Sequence, residues 1–184
     1  MDMSNNEILV SYSFRKLRQE DIPLIVAAFT EIGWNKPASL YQRYFQEQEN
    51  NQRCIWIAFK GKEFLGYVTL KWHSDYPNFN KYGIPEINDL NVLPSFRNKG
   101  IGSKLLDLAE AEAHASTSSA RAGCGMVGLG VGLYADYGNA QKLYIKRGYI
   151  PDGHGATYQY LPVVPGEKYP VDDDLILWFL KKLV

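Results

Sequence analysis

The sequence predicts a mixed α/β domain. Stretches rich in β-branched and aromatic residues stand near the start of the chain, at its end and between helical stretches. One of them, "EINDLNVL", runs into a glycine loop and then an amphipathic helix. Another, "MVGLGVGLY", sets apolar residues against glycine at period two. The chain has 184 residues, which suits one domain with a full core. The expected organisation is one domain over residues 1–184, with 1–10 a loosely ordered N-terminal segment.

Each element has a local reason. Tyr12 to Leu17 alternates apolar and polar residues and reads as a short strand. Glu20-Asp21 opens a helix with Pro23 in its first turn, and the helix stops near Gly33. "SLYQRYFQEQEN" reads as a second helix capped by Ser39. "CIWIAFK" and "FLGYVTLKWH" form a hairpin turned at "GKEF". "SDYPNFNKYGIP" shows no regular pattern and reads as a long loop. "EINDLNVL" is the next strand. Ile101 to Ala115 is a helix with Leu105, Leu106, Ala109 and Ala113 on one face. "HASTSSARAG" connects it to "MVGLGVGLY", another strand. "NAQKLYIKRGY" is a short helix closed by Gly148. "DLILWFLKKL" is a last strand, apolar on both faces and so buried at its middle.

Composition excludes several classes. Net charge is zero, which disfavours a non-specific polyanion binder, so no nucleic-acid partner is expected. No apolar run approaches 18 residues, and the N-terminus lacks a signal-peptide pattern, so no membrane partner is expected. Cys54 and Cys124 lack metal spacing and read as buried thiols in a reducing cytosol. A cytoplasmic location and no metal follow as expectations.

The chemistry starts at "VLPSFRNKGIGSKLL". A strand ends, Arg97, Lys99, Gly100 and Gly102 follow, and a helix begins. A helix start presents unpaired N–H groups and partial positive charge. Glycine lets that backbone approach a ligand, and Arg97, Lys99 and Lys104 add charge. This is an anion site suited to phosphate or pyrophosphate; a plain strand-to-helix turn with solvated cations is the bland alternative. No G-x-x-x-x-G-K-[ST] occurs. "GCGMVG" at 123–128 fits G-x-G-x-x-G, but it follows a helix and precedes a strand, the reverse of the dinucleotide context. Gly128, Gly130 and Gly132 leave one face of their strand bare, which invites close packing by a helix or a slender ligand.

"R-N-K-G-I-G" at 97–102 resembles the R/Q-x-x-G-x-G/A motif of the GNAT superfamily, the acetyl-CoA-dependent N-acetyltransferases. "N-A-Q-K-L-Y-I-K-R-G-Y" at 139–149 is similar to their second signature, and the element order fits from about residue 11 to 184. The resemblance implies a GNAT-like mixed, splayed sheet flanked by helices. "EINDLNVL" and "MVGLGVGL" would diverge at one end and admit the pantetheine arm of acetyl-CoA. It assigns Leu90, Asn91 and Val92 to that arm, Arg97, Asn98, Lys99, Gly100, Ile101, Gly102 and Ser103 to the pyrophosphate, and Asn139 to the arm near the thiol.

It also implies transfer of an acetyl group to a small-molecule or peptide amine by direct attack in a ternary complex. Tyr144 would protonate the leaving thiolate, although the residue by itself reads as a core aromatic. Glu86, eleven residues before Arg97, would deprotonate the amine; a surface carboxylate at a strand start is the bland reading. Period-two parity turns Asp89 to the other face. His73 and a water relay are alternative bases. His114 and His154 read as surface or loop residues. The acceptor would meet the helices of 21–50 and the loop with Trp72, His73, Asp75, Tyr76, Phe79 and Tyr82, where aromatic packing is an equal reading. Asp172 to Asp174 reads as a solvated strand entrance. The alternatives are a catalytically silent CoA-binding regulatory module and a protein that binds another nucleotide. Dimers are common in the resembled family, so a homodimer is compatible with it.

Overall fold

A computed structural model describes residues 12–115 and 125–183. Among these residues eight strands form one sheet: β1 (Tyr12–Lys16), β2 (Arg53–Lys60), β3 (Glu63–Lys71), β4 (Glu86–Val92), β5 (Met126–Gly132), β6 (Ile150–Tyr158), β7 (Leu161–Pro162) and β8 (Leu175–Lys182). Among the described residues five α-helices accompany them: α1 (Ile22–Glu31), α2 (Ala38–Glu49), α3 (Pro77–Lys81), α4 (Ile101–Ala115) and α5 (Gly138–Lys146). The sheet order is β1-β2-β3-β4-β5-β8-β6-β7. Only β4 and β5 run parallel, and they pair only at Glu86–Gly128 and Ile87–Leu129. Beyond Ile87 the two strands part.

The parting has a local cause. β3 and β4 lose register between Tyr67 and Thr69, where two residues of β4 oppose one of β3. The extra residue is Asp89, at φ 52°. Such a bulge bends its strand and increases its twist. It also resets the alternation of faces. Glu86 and Asn88 precede it, Asn91 follows it, and all three lie with Asp89 itself on the α1–α2 side of the sheet. The parity expectation for Asp89 is therefore wrong, because parity holds only while a strand is regular.

The core fills both faces. On one, Leu105, Leu106, Ala109 and Ala113 of α4 are fully buried over Val68, Leu70, Ile87, Leu129 and Val131. On the other, Ile25 and Phe29 of α1 and Tyr41 and Tyr44 of α2 cover Ile55, Ile57 and Tyr67. A smaller cluster of Tyr76, Phe79, Ile84 and Trp178 closes the far end of that face.

This cluster answers what meets the bare glycine face. A Cβ on Gly128 would lie 2.2 Å from the Phe79 ring, one on Gly130 2.9 Å from Trp178, and one on Gly132 2.5 Å from Tyr137. Side chains of the chain itself, these rings and Ile176 at 2.8 Å from the Cβ position of Gly130, cover the three glycines and leave a ligand no approach to them. Phe79 belongs to α3, which lies in the stretch expected to be a loop. Five residues are too few to display a helical period, and only Phe79 of the five is buried. Pro37, not Ser39, holds the cap position of α2, in an extended conformation that sets the entry angle. Residues 150–162, where no periodicity marked a strand, form β6 and β7. The register of β6 on β8 breaks between Pro151 and Ala156, and Gly153 and Gly155 sit at positive φ there. Trp178 and Phe179 are buried on opposite faces of β8, as the double apolar pattern requires. Cys54 is buried and free, held as a thiol because burial pushes it up to about 11. Cys124, residues 1–11 and most of the 114–123 connection lie outside the described residues.

Candidate active site

The anion loop lies where β4 ends. Residues 97–100 are exposed, and Ile101 anchors the start of α4 in the core. A Cβ on Gly102 would meet Val92 Cγ2 at 3.7 Å and Leu143 Cδ2 at 4.0 Å, ordinary contact distances. The chain itself therefore does not require glycine at 102, although glycine in a helix costs up to about 1 kcal/mol relative to alanine. The same geometry shows that the end of β4, the start of α4 and α5 converge on one spot. Arg97 Nε donates to the Val92 carbonyl at 3.1 Å, which fixes the guanidinium beside the loop.

The backbone of β4 faces the opening. Leu93 N–H donates to Leu65 at 2.9 Å. In an antiparallel ladder the next residue turns its groups the other way, so Val92 directs its N–H away from β3. β5 does not pair with it there. Leu90 and Val92 pack toward α4, and Asn91 faces α1 and α2, where its amide donates to Asp89.

Tyr144 projects from α5 into the core beside Tyr149, with ring centroids 5.9 Å apart. Burial pushes its phenol up to about 12, and its hydroxyl bonds no described residue. Asn139 is exposed at the second position of α5.

Glu86 is 5% exposed, not a surface carboxylate. Ser74 Oγ donates to Oε2 at 2.5 Å and Asn88 Nδ2 to Oε1 at 3.0 Å. Desolvation raises its pKa; the two hydrogen bonds and Lys71 pull the other way. Asn88 in turn lies beside Arg53, which is buried between Glu47 at 2.5 Å, Thr69 at 2.7 Å and the Tyr44 ring at 4.2 Å. His73 is exposed beyond β3, as are His114 and His154 on α4 and β6. Trp72, Tyr76 and Phe79 are buried packing residues, and Tyr82 is exposed. Asp172, Asp173 and Asp174 accept hydrogen bonds from Tyr158, Tyr137 and Gln159, so the acidic run is tied into the β6–β8 end.

The polar strip on the α1–α2 face also includes Asp89, Lys36, Tyr44 and Tyr67, which sequence reasoning did not bring together. The signal was faint: aspartate tolerates positive φ better than most residues, but nothing in "EINDLNVL" marks which residue is bulged. No group of three or more His, Cys, Asp or Glu suited to a metal occurs among the described residues. No helix among them is long and apolar enough to cross a membrane.

Residues 13–149, which include the strand, the glycine-basic helix start and the parting parallel strands, match the family model of the acetyltransferase (GNAT) family. The chain belongs to the GNAT acetyltransferase family. Over 65 residues it is 38% identical to the uncharacterized N-acetyltransferase YhfO of Bacillus subtilis strain 168, covering 34% of this chain and 40% of that one. The chain thus spans about two fifths of the length of that curated relative. Among solved structures it is similar to an N-acetyltransferase from Staphylococcus aureus Mu50, with TM-score 0.66, 20% identity, and 95% and 99% of the two chains covered. It is also similar to PaiA N-acetyltransferase from Thermoplasma acidophilum, solved with coenzyme A, with TM-score 0.61, 17% identity, and 94% and 99% covered. At these identities the likeness establishes the GNAT fold.

Proposed function

We propose that this GNAT protein moves an acetyl group from acetyl-CoA to a primary amine, which attacks directly in a ternary complex. The observation that carries the reading is the convergence of the end of β4 and of α5 on the start of α4, with Val92 and Leu143 both within 4.0 Å of where a Cβ on Gly102 would stand, at the mouth of the β4–β5 opening. The backbone of residues 98–103 and the Arg97 guanidinium would hold the pyrophosphate. Leu90, Asn91 and Val92 would line the arm, and Asn139 would meet it near the thiol. Acetyl-CoA supplies the electrophilic carbonyl and the thiol leaving group.

The chain supplies the rest. The Val92 N–H can donate to the carbonyl oxygen as negative charge grows there. Glu86 takes the proton that the amine must lose, directly or through water. Its raised pKa brings it closer to that task than an exposed glutamate. Tyr144 stays protonated across the physiological range, so it can donate to sulfur as the C–S bond breaks. Titration of the protein with acetyl-CoA by calorimetry, followed by a panel of primary amines assayed for free CoA thiol, tests this. Saturable binding and amine-dependent thiol release are expected. Absence of acetyl-CoA binding would overturn the reading.

A further inference from the structure

Asp89 is held in an unusual way. Its φ of 52° turns its carboxylate onto the α1–α2 face. Oδ1 accepts from Lys36 Nζ at 2.7 Å and Asn91 Nδ2 at 2.6 Å. Oδ2 accepts from the hydroxyls of Tyr67 at 2.5 Å and Tyr44 at 3.1 Å. The Lys36 ammonium also lies 5.7 Å from the Tyr67 ring centroid and 5.9 Å from that of Phe29. A carboxylate, the Tyr67 hydroxyl at 3.2 Å and two aromatic rings around one ammonium, with the Tyr44 hydroxyl holding the carboxylate from behind, are the parts of an alkylammonium recognition site. Here the chain fills it with its own lysine.

The occupant is placed to leave. Lys36 belongs to the connection between α1 and α2, outside any helix or strand. The side chains of Lys36 and Asp89 remain 22% and 17% exposed, so the box opens to solvent. It also adjoins the anion loop. Trp34, two residues before Lys36, stacks on Phe29 at 5.7 Å and lies under the Arg97 guanidinium at 5.6 Å.

Resting on the acetyl-transfer reading for the reaction itself, we infer that Lys36 is the resident occupant of an acceptor-ammonium subsite made by Asp89, Tyr44 and Tyr67, and that the acceptor enters by displacing it. This names a substrate class. An amine clasped as an ammonium at Asp89 keeps its proton and cannot attack. The acceptor therefore carries two amino groups, one anchored at Asp89 and one deprotonated through Glu86. Glu86 and Asp89 stand three residues apart on β4, ~10 Å of backbone at most because the strand bulges between them, which is within the reach of a short alkyl diamine with a hydrogen bond at each end.

A tethered ammonium acts at an effective concentration on the order of mM, so a free diamine should bind the wild-type protein weakly. Calorimetry with 1,4-diaminobutane, without cofactor, is the test. Lys36→Met should tighten binding at least ten-fold, and Lys36→Gln should do the same if the Met variant folds poorly. Adding Asp89→Asn should abolish the gain; asparagine accepts positive φ, so the bulge is kept. 1,4-Butanediol should gain nothing. No tightening on loss of the lysine, or tightening that survives Asp89→Asn, would overturn the inference. Acetyl-CoA is titrated separately: its failure to bind would sink the acetyl-transfer reading, while the diamine data would still decide the subsite.

Discussion

Glu86 shows how burial sets one residue's stability and reactivity against each other. Its pKa is raised in the folded chain, so the native state binds more protons than the unfolded state between the ordinary carboxylate range and the raised value. Stability contributed by Glu86 is present below that window and lost as pH rises through it. Glu86→Gln should therefore be at least as stable as wild type at pH 7, with the difference vanishing in acid. It should also lower kcat and remove the acidic limb of the pH–rate profile while acetyl-CoA still binds. A Gln variant with wild-type rate and profile would rule Glu86 out as the base. Tyr144 makes a cleaner case, because its hydroxyl bonds no described residue. Tyr144→Phe keeps the ring and its burial, so thermal stability should hold. Proton donation is worth about 10²–10⁴-fold, so turnover should fall at least ten-fold with acetyl-CoA affinity nearly unchanged. Unchanged turnover, with chemistry rate-limiting, would return Tyr144 to a packing role.

Elements were legible where a period had room to show itself. α4 runs from Ile101 to Ala115 as its pattern requires, and each residue of its expected apolar face is fully buried. α3 was not legible because its single inward residue, Phe79, has meaning only opposite Gly128. The first half of β6 was hidden by the register break at Asp152 to Gly155. The anion loop stood out in sequence because charge and glycine are poor core material. The Asp89 box did not, since Lys36, Tyr44, Tyr67 and Asp89 come from four separate elements or connections that only the fold joins. The loop carries its own test. A Cβ at 102 fits the chain and the motif admits alanine there, but a branched side chain would crowd the mouth of the opening, where Val92 and Leu143 already meet that position. Gly102→Val should lose acetyl-CoA binding by calorimetry, with the melting temperature of the variant measured alongside to separate loss of the site from loss of the fold. A variant that binds as wild type does would remove this loop from the cofactor site.

The sheet as a whole is nearly two sheets. β1 to β4 form one half and β5, β8, β6 and β7 the other, joined in the ladder by only two residue pairs. An opening of fixed width needs something else to hold the halves. α4 lies across the parting and reaches both sides with carboxylates two residues apart. Glu112 pairs with Lys16 of β1 at 2.6 Å. Glu110 accepts from Lys181 of β8 at 2.6 Å, from Arg147 just after α5 at 2.9 Å, and from the Tyr149 hydroxyl at 3.0 Å. The Glu112 pair is about one third exposed and screened by water, so it should contribute little. Glu110 is 9% exposed, and its removal takes one partner from each of two cations and a phenol. Breaking a fully buried pair costs about 3–5 kcal/mol. Arg147 keeps Asp107 at 2.7 Å, and both cations still reach solvent, so Glu110→Ala should cost about 2 kcal/mol. For a chain of this size that is a fall in melting temperature of roughly 4–8 °C. Hydrogen exchange should quicken first in β5, β6 and β8, with β2 and β3 little affected. Acetyl-CoA should bind several-fold more weakly, although Glu110 lies outside the residues assigned to it, because the opening would no longer be held to one width. Uniform acceleration across all strands, or unchanged affinity with the expected loss of stability, would show that α4 fastens the fold without setting the opening.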